Sequence, residues 1–294
     1  MNVILRSVFN RPEMLYLSLK YEKIAREYFD GEYVTLFVVD AGFDPKCLEI
    51  INDYSFDKVV VKRPSNYKVC ANIMEGLKQA CSKNIEYVIN MEDDLILHKY
   101  YFQFVKNAHL LLKDIGYSVI TTWGYSSNGD PNIIRKTNFS CGPGTIINKK
   151  FFEEFMMPFA NLGYYNDWLF TINKINELNK DNSIAKYSKK IGNQYNHMDW
   201  DGLMNRLVDY VSFTHNLHSY SSLCFRLLHI GFYGYNRHGK RFPKELNTFN
   251  KRVDFLEENI FNPSMLVNLD GYYSDYSVFD DRLDSWNGTL KLEV

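Results

Sequence analysis

Apolar residues in the first 122 positions form short runs that alternate with helical stripes. The runs predict strands at 3–9, 33–39, 58–62, 87–91 and 118–122. The stripes predict the intervening helices, the first of them through Met14, Leu17, Tyr21, Ile24 and Tyr28. Strands and helices that alternate at this spacing form βαβ units, which predicts a parallel sheet covered by helices.

Beyond residue 122 the hydrophobic periodicity weakens. Gly-Pro-Gly at 142–144 predicts a tight loop at which backbone approaches a ligand closely. Helical patterns begin near Phe151 and Leu203, and the polar stretch 173–197 is predicted to be an exposed insertion. These patterns predict one domain over 1–242, with halves 1–122 and 123–242, followed by a C-terminal helix and tail at 243–294.

Composition and charge describe an ordinary globular chain. The 294 residues are 46% hydrophobic and 23% charged, with a formal net charge of −1. The basic excess is local: seven Lys or Arg residues and one acid, Glu245, lie between Arg226 and Arg252. Five scattered cysteines without a C-x-x-C pair indicate free thiols. With no signal-peptide pattern and no apolar run of membrane-spanning length, we expect a cytoplasmic protein without a transmembrane segment.

The strand at 87–91 runs directly into three acids, Glu92, Asp93 and Asp94. In open α/β sheets, ligands bind at the carboxyl ends of the strands. Carboxylates in that position are suited to a hard divalent cation such as Mg²⁺ or Mn²⁺. The alternative is an acidic turn that stabilises the N-terminus of the helix predicted to begin near Lys99.

Other polar residues follow the first two strands. Asn10 is a predicted N-cap, with Pro12 at the first helical position. Asp40 can accept hydrogen bonds from a nucleoside, or it can be a turn residue before Gly42. His109 is predicted to be a core histidine. No G-x-G-x-x-G or P-loop pattern occurs, so a bound nucleotide would depend on a metal rather than on glycine-loop amides.

Further acids and histidines lie in the second half. Asp199 and Asp201 flank Trp200 at the head of a predicted helix, where an Asp is also a common cap. Asp167 precedes another tryptophan, and His229 and His238 both lie within the basic stretch.

The order of these features resembles that of GT-A glycosyltransferases over residues 1–242. The resemblance rests on Val-Phe-Asn-Arg-Pro at 8–12, Asp-Ala-Gly at 40–42, residues 66–72, Glu-Asp-Asp at 92–94 in place of the D-x-D signature, and the loop leading to His238. With Gly-Pro-Gly and the Trp-Asp segment, the pattern most resembles N-acetylglucosaminyltransferase I and its bacterial or viral relatives. It implies an α/β fold, Rossmann-like, with a mainly parallel central sheet flanked by helices and a smaller antiparallel part near the acceptor.

The resemblance also implies roles for individual residues. Asp94 and His238 would hold Mn²⁺ or Mg²⁺, and Glu92 and Asp93 would contact ribose or bound water. Donor contacts are expected from Asn10, Arg11, Asp40 and Asn72 in the nucleotide-binding half 1–122. Arg237 and Lys240, in the late loop around His238, are expected to contribute as well. The last two, with Arg241, could equally be a solvated basic surface. The insertion 173–197 shifts the spacing, so the catalytic base is Asp201, Asp199 or Asp167, and Asp201 is preferred.

The implied reaction is inverting transfer of a sugar from a nucleotide-sugar, a UDP-sugar above all, to a hydroxyl of a glycan or lipid-linked acceptor. The basic stretch raises an alternative acceptor, hydroxymethylated pyrimidine in phage DNA. A different class is a non-catalytic protein of this fold that binds glycans or nucleotides. A metal-dependent phosphoesterase would need more ligands than this sequence offers.

Overall fold

A nine-stranded sheet and a two-stranded ribbon organise the described residues of the computed structural model, which are 1–123, 129–137, 144–160, 203–231, 242–261, 279 and 281–293. The strands are β1 (Asn2–Val8), β2 (Tyr33–Val39), β3 (Lys58–Lys62), β4 (Tyr87–Met91), β5 (Leu95–Leu97), β6 (Val119–Thr121), β7 (Ile133–Thr137), β8 (Thr145–Asn148), β9 (Ser219–Ser222), β10 (Leu227–His229) and β11 (Lys291–Glu293). The helices are α1 (Pro12–Glu27), α2 (Pro45–Asn52), α3 (Lys68–Cys81), α4 (Tyr101–Leu112), α5 (Lys149–Phe151), α6 (Met157–Ala160), α7 (Leu203–Thr214) and α8 (Phe249–Asn259). A π-helical turn, Phe152–Met156, joins α5 to α6, and a 3₁₀ helix spans Asp281–Ser285.

The large sheet has the order β11-β7-β9-β6-β8-β4-β1-β2-β3. Parallel pairing joins β1 to β2 and β4, β2 to β3, β6 to β9, and β7 to β11. Antiparallel pairing joins β8 to β4 and β6, and β7 to β9. The prediction of a mainly parallel, helix-flanked α/β sheet with a smaller antiparallel part is confirmed.

Helices cover both faces of the parallel strands, which explains their unbroken apolar runs. Val3 and Leu5 of β1 pack in one hydrophobic cluster with Leu77 of α3. Ile4, between them, points to the other face and packs in a second cluster with Phe102 of α4. The central strands β1, β2 and β4 are therefore buried on both faces.

The carboxyl ends of β1, β2 and β4 lie together at one edge of the sheet. Val8 is in register with Val39, and Arg6 is in register with Met91. The chain therefore leaves these three neighbouring strands at Arg11, Asp40 and the acidic turn 92–94.

The antiparallel ribbon β5–β10 begins immediately after the acidic turn. Leu95 pairs with His229 and Leu97 pairs with Leu227. This pairing carries the end of β10 back to the edge where β4 ends.

Local differences from the sequence prediction have clear causes. The prediction of Asn10 as N-cap is wrong, because α1 begins at Pro12 and the preceding position is Arg11, where the described residues provide no side-chain cap. The spacing of Val69, Ile73 and Leu77 predicts one inward stripe, but Val69, in the first turn of α3, is 37% exposed. Helix α2 and the short strands β5, β7, β8, β9 and β11 were not predicted; β11 pairs with β7 at the edge of the sheet.

The described part of the C-terminal segment packs on the fold. Val253 and Leu256 of α8 join a cluster with Met14 and Leu17 of α1. In the described residues, no helix is both long enough and apolar enough to cross a bilayer.

Candidate metal centre

Glu92, Asp94 and His229 converge at the carboxyl edge of the sheet. Each offers one ligand atom, and these atoms lie within 4.8 Å of one another. The Nε2 atom of His229 is 3.0 Å from Oδ2 of Asp94. Asp94 is fully buried, whereas Glu92 and His229 are partly exposed, so the cluster faces outward at its rim.

The β5–β10 ribbon holds the histidine beside the acidic turn. The backbone N–H of Ile230 donates to the carbonyl of Asp94 at 2.9 Å, which extends the ribbon by one residue past His229. Gly231 follows, and a Cβ there would lie 2.0 Å from Oδ2 of Asp94. Only glycine lets the backbone approach the carboxylate this closely.

The residues present fit a divalent cation. Two carboxylates and one imidazole are a mixed oxygen and nitrogen donor set, which suits Mn²⁺ better than the all-oxygen preference of Mg²⁺. The 3.0 Å between His229 and Asp94 matches the spacing of adjacent ligands around an octahedral ion with bonds of about 2.1 Å. Gly231 leaves room for the carboxylate of Asp94 itself, because a Cβ there would overlap Oδ2.

Arg11 spans the two buried aspartates of the turn. Its Nη1 donates to Oδ2 of Asp94 at 2.6 Å, and its Nη2 donates to Oδ1 of Asp93. Burial opposes the charge on Arg11, but the carboxylates of Asp93, Asp94 and Glu92 more than offset this and raise the pKa of the guanidinium. The turn therefore carries an internal counter-charge.

Burial and mutual proximity raise the pKa values of two acids in this turn, Glu92 and Asp93. Burial first, and then the neighbouring Asp94, raise the pKa of Glu92 to about 7, against the opposing effects of His229 and Arg11. Burial also raises the pKa of Asp93, although Arg11 works against this. A site that raises carboxylate pKa values in this way favours an additional positive charge.

A buried ion-pair network on β1 and α1 holds the acidic turn in place. Arg6, in the middle of β1, donates from Nη1 to the carbonyl of Glu92 and to Oγ of Ser18, both at 2.9 Å. Ser18 in turn donates to the carbonyl of Leu95 at 2.6 Å. The two ends of the turn are thus tied to α1 and β1. The charge of Arg6 is balanced by Glu22, 2.7 Å away.

Glu22 keeps its charge although it is buried. Burial would raise its pKa, but Arg6 and Arg26, with a hydrogen bond from Tyr54, lower the pKa below its ordinary value. Arg26 donates to Glu22 at 2.9 Å.

The region of sequence that forms this site matches a known protein family. A family model described as Glycosyl transferase family 2 matches residues 6–174, more than half of the 294-residue chain. The chain belongs to glycosyl transferase family 2. Arg6, Arg11 and the acidic turn all lie inside the matched region, and the prediction of a glycosyltransferase-class enzyme domain is confirmed at that level. No curated protein sequence matches this family 2 chain.

Solved structures with a similar arrangement are distant in sequence. S. aureus TarS is 16% identical, with a TM-score of 0.40, 52% of this chain covered and 29% of that one. TarS 1–349 in complex with UDP-GlcNAc is 14% identical, with a TM-score of 0.39 and coverage of 52% and 47%. The mannosyltransferase PcManGT from Pyrobaculum calidifontis, in complex with GDP-Man and Mn²⁺, is 11% identical, with a TM-score of 0.40 and coverage of 51% and 45%. This family 2 chain thus spans less than half the length of each.

The predicted donor residues of the family 2 domain divide into two groups. The first group, Arg11, Glu92, Asp93 and Asp94, meets at one point, and Glu92 lies in the cluster that could hold a metal ion. Six further predicted site residues lie outside the described residues, namely Asp167, Asp199, Asp201, Arg237, His238 and Lys240.

Asp40 and Asn72 take part in local hydrogen bonds. Oδ1 of Asp40 accepts from the backbone N–H of Tyr67 at 2.7 Å, which ties the loop before α3 to the end of β2. Asn72 is buried, donating to the carbonyl of Val38 and accepting from Nε of Arg63. Their roles in donor binding stay predictions, and Asn10 is exposed at the same edge.

Two residues of the family 2 site were missed from the sequence. The sequence placed His229 only within a basic stretch, and it gave Arg6 no role. The available signals were a charged residue inside an otherwise buried strand, and a histidine two residues before a glycine at a strand end. The prediction that His109 is a core histidine agrees with its burial and its 2.8 Å hydrogen bond to Tyr117.

Replacing Gly231 with alanine tests whether its close approach to Asp94 is needed for metal binding. The added Cβ, 2.0 Å from Oδ2 of Asp94 and 3.0 Å from Nη1 of Arg11, has to push the carboxylate out of place. We expect Mn²⁺ affinity to fall at least about tenfold, measured by calorimetry, because one of three ligands is misplaced. Ile230→Val, which trims the neighbouring side chain, should leave the affinity within about twofold, as its methyl group faces the core. Unchanged Mn²⁺ binding by Gly231→Ala would contradict the assigned ligand geometry.

Proposed function

We propose that this chain is a metal-dependent glycosyltransferase that moves a sugar from a UDP-sugar to a hydroxyl of a glycan or lipid-linked acceptor, with inversion at the anomeric carbon. The observation that supports it is the convergence of Glu92, Asp94 and His229 where the parallel strands of a family 2 domain end. That edge is where open α/β sheets bind their ligands. The more specific similarity to N-acetylglucosaminyltransferase I, which rests on sequence motifs, is part of this proposal.

Glu92, Asp94 and His229 would hold Mn²⁺, with His238 of the late loop as a further ligand. The bound ion would supply Lewis-acid stabilisation of the diphosphate leaving group, an effect worth several kcal/mol. Arg11, partly exposed at the same edge, would add a guanidinium for phosphate oxygens, and Arg237 and Lys240 are proposed to do the same.

The nucleoside would lie against the end of β2. A carboxylate has about four acceptor positions, and Oδ1 of Asp40 receives bonds from Tyr67 and Ala41, so Asp40 keeps acceptor capacity for a ribose or base. Asn72 would act through Arg63, which it holds beside this strand end. Arg63 lies over the Tyr67 ring, 5.3 Å from its centroid, which stiffens the loop on that side.

The chemical step would need a base. The acceptor oxygen forms a bond to the anomeric carbon while the bond from that carbon to the diphosphate breaks, and a carboxylate takes the acceptor's proton. We assign this role to Asp201, with Asp199 and Asp167 as the alternatives. A positioned base contributes typically about 10²–10⁴-fold.

Screening UDP- and GDP-sugars with and without Mn²⁺ tests the function. We expect a UDP-sugar to raise the melting temperature only with Mn²⁺, and turnover to need both. Among asparagine substitutions at Asp201, Asp199 and Asp167, the one at the base should lose about 10²–10⁴-fold in kcat while keeping Mn²⁺ affinity. Donor binding that is independent of metal, without turnover, would instead support a non-catalytic binding protein.

The metal affinity should depend on pH through Glu92. Its pKa is raised to about 7, and it must lose its proton before it can bind a cation. Apparent Mn²⁺ affinity should therefore be constant above about pH 8 and fall below pH 7 by up to about tenfold per pH unit. Calorimetry between pH 6 and 8.5 measures this. Glu92→Gln should bind Mn²⁺ more weakly and show a flatter profile, whereas an equally steep profile in both proteins would assign the titration elsewhere.

Two of the described cations in the basic stretch are already engaged within the protein. Of the cations between Arg226 and Arg252, Arg226 is fully buried between the rings of Phe104 and Trp286. Arg252 pairs with Glu13 at 3.0 Å. Neither is a ready phosphate contact, so we place this acceptor second. Binding to hydroxymethylated DNA that falls steeply with salt would reverse that order.

A further inference from the structure

Arg11 and His229 both approach the same carboxylate oxygen of Asp94. Its Nη1 is 2.6 Å from Oδ2 of Asp94, and Nε2 of His229 is 3.0 Å from that same atom. The other arm of the guanidinium engages Asp93. The fork therefore lies across both buried carboxylates, in the bidentate arrangement that gives arginine its strongest ion pairs.

A divalent ion on Asp94 and the guanidinium in this position exclude each other. An ion bound to Oδ2 would stand next to the positive Nη1 group, and the two like charges would repel in a largely buried site. Asp94 is 1% exposed and has little freedom to move, whereas the Arg11 side chain is 19% exposed. The guanidinium is thus the partner that can leave.

The backbone of Arg11 is anchored independently of the ion pairs that its side chain makes. Its carbonyl accepts from the N–H of Leu15 at 3.0 Å, in the first turn of α1. A displaced guanidinium would therefore stay at this edge of the sheet, within reach of an anion bound beside the acidic turn.

We propose that Arg11 is a resident counter-cation that competes with the divalent ion for Asp94, so that metal entry releases its guanidinium for the anionic donor. This inference rests on the proposed function. It makes Arg11 a positioning residue that links two binding events: metal weakens the pairing of Arg11 with Asp94, and the released arginine strengthens donor binding. By linkage, the donor raises metal affinity by the same factor.

Titration of the full chain with Mn²⁺ alone tests the competition. Without nucleotide, Arg11→Gln should bind Mn²⁺ between about 5- and 150-fold more tightly than the wild type, the usual range of a coupling between sites. Arg11→Lys, which keeps a charge but loses the fork, should fall between the two. Thermal unfolding of each variant checks that the site is folded.

Titration with UDP separates this role from ordinary phosphate binding. Without metal, Arg11→Gln should change UDP affinity by less than about twofold, because the guanidinium is held by the aspartates. With saturating Mn²⁺, the same variant should bind UDP about 10- to 100-fold more weakly, the value of a lost charge-assisted hydrogen bond. An arginine that only binds phosphate would weaken UDP binding under both conditions.

The outcomes are distinct. Equal or weaker Mn²⁺ binding by Arg11→Gln would overturn the competition while leaving the metal site in place. A loss of UDP affinity that is the same with and without Mn²⁺ would overturn the release. If neither protein binds Mn²⁺, the proposed metal site itself is refuted, and this inference with it.

Discussion

Replacing Asp94 with asparagine should reduce Mn²⁺-dependent sugar transfer by about a thousandfold or more. Asparagine keeps the shape of the side chain but removes the charge that a divalent ion needs, and the stabilisation at stake is several kcal/mol. The change should not unfold the protein. It removes one of three crowded carboxylates, and the pKa of Glu92, which Asp94 raises, should fall toward its ordinary value.

Asp93→Asn is the matched control for this experiment. Asp93 is next in sequence and equally buried, and it also pairs with Arg11, but it lies outside the ligand cluster. We expect its loss of activity to be at least about tenfold smaller than that of Asp94→Asn, with Mn²⁺ affinity retained. Turnover at saturating donor, together with Mn²⁺ calorimetry on both variants, makes the comparison. Full activity of Asp94→Asn would refute the metal-dependent mechanism.

The acidic turn could be predicted because its signals are local. A five-residue apolar strand that ends in three acids defines both the element and its functional end, and β4 spans the predicted residues 87–91. The parallel direction of β1, β2 and β4 follows from the βαβ connections, and the structure brings Arg11, Asp40 and the acidic turn to one edge of the sheet.

His229 could not be placed in the same way because its neighbour in space is distant in sequence. Its position depends on pairing between β10 and β5, two three-residue strands with no hairpin turn to connect them. Such short apolar runs carry no register of their own. The predicted late ligand, His238, was chosen from resemblance within the same stretch, and it lies outside the described residues.

Arg6 was missed for a different reason. A charged residue in a buried strand conflicts with hydrophobic patterning, and sequence patterns do not show which group compensates it. Its partners here are Ser18 and Glu22 on α1 and the backbone carbonyl of Glu92 in the acidic turn after β4. Conflicts of this kind are common at functional sites, where local rules are broken for the sake of a specific geometry.

Arg6→Met should lower the free energy of unfolding by about 3 kcal/mol. Methionine has a similar length but leaves Glu22 with one guanidinium fewer in a fully buried site, and breaking a buried ion pair typically costs about 3–5 kcal/mol. The lower end applies because Arg26 and Tyr54 still contact Glu22. Urea denaturation measures the change.

The double variant Arg6→Met with Glu22→Leu separates stability from positioning. Removing both charges should restore most of the lost stability, because an apolar pair of similar volume is often as stable as a buried ion pair. It should not restore the hydrogen bond from Arg6 to the carbonyl of Glu92, which orients the turn. We therefore expect Mn²⁺ affinity to remain about tenfold or more below that of the wild type in both variants, the scale of effect expected when a group supporting a metal ligand is lost. If Mn²⁺ affinity returns with stability, Arg6 serves the fold alone. If Mn²⁺ affinity stays low, the buried network of Arg6, Ser18 and Glu22 is part of the metal centre. The site then extends from His229 to the buried face of α1.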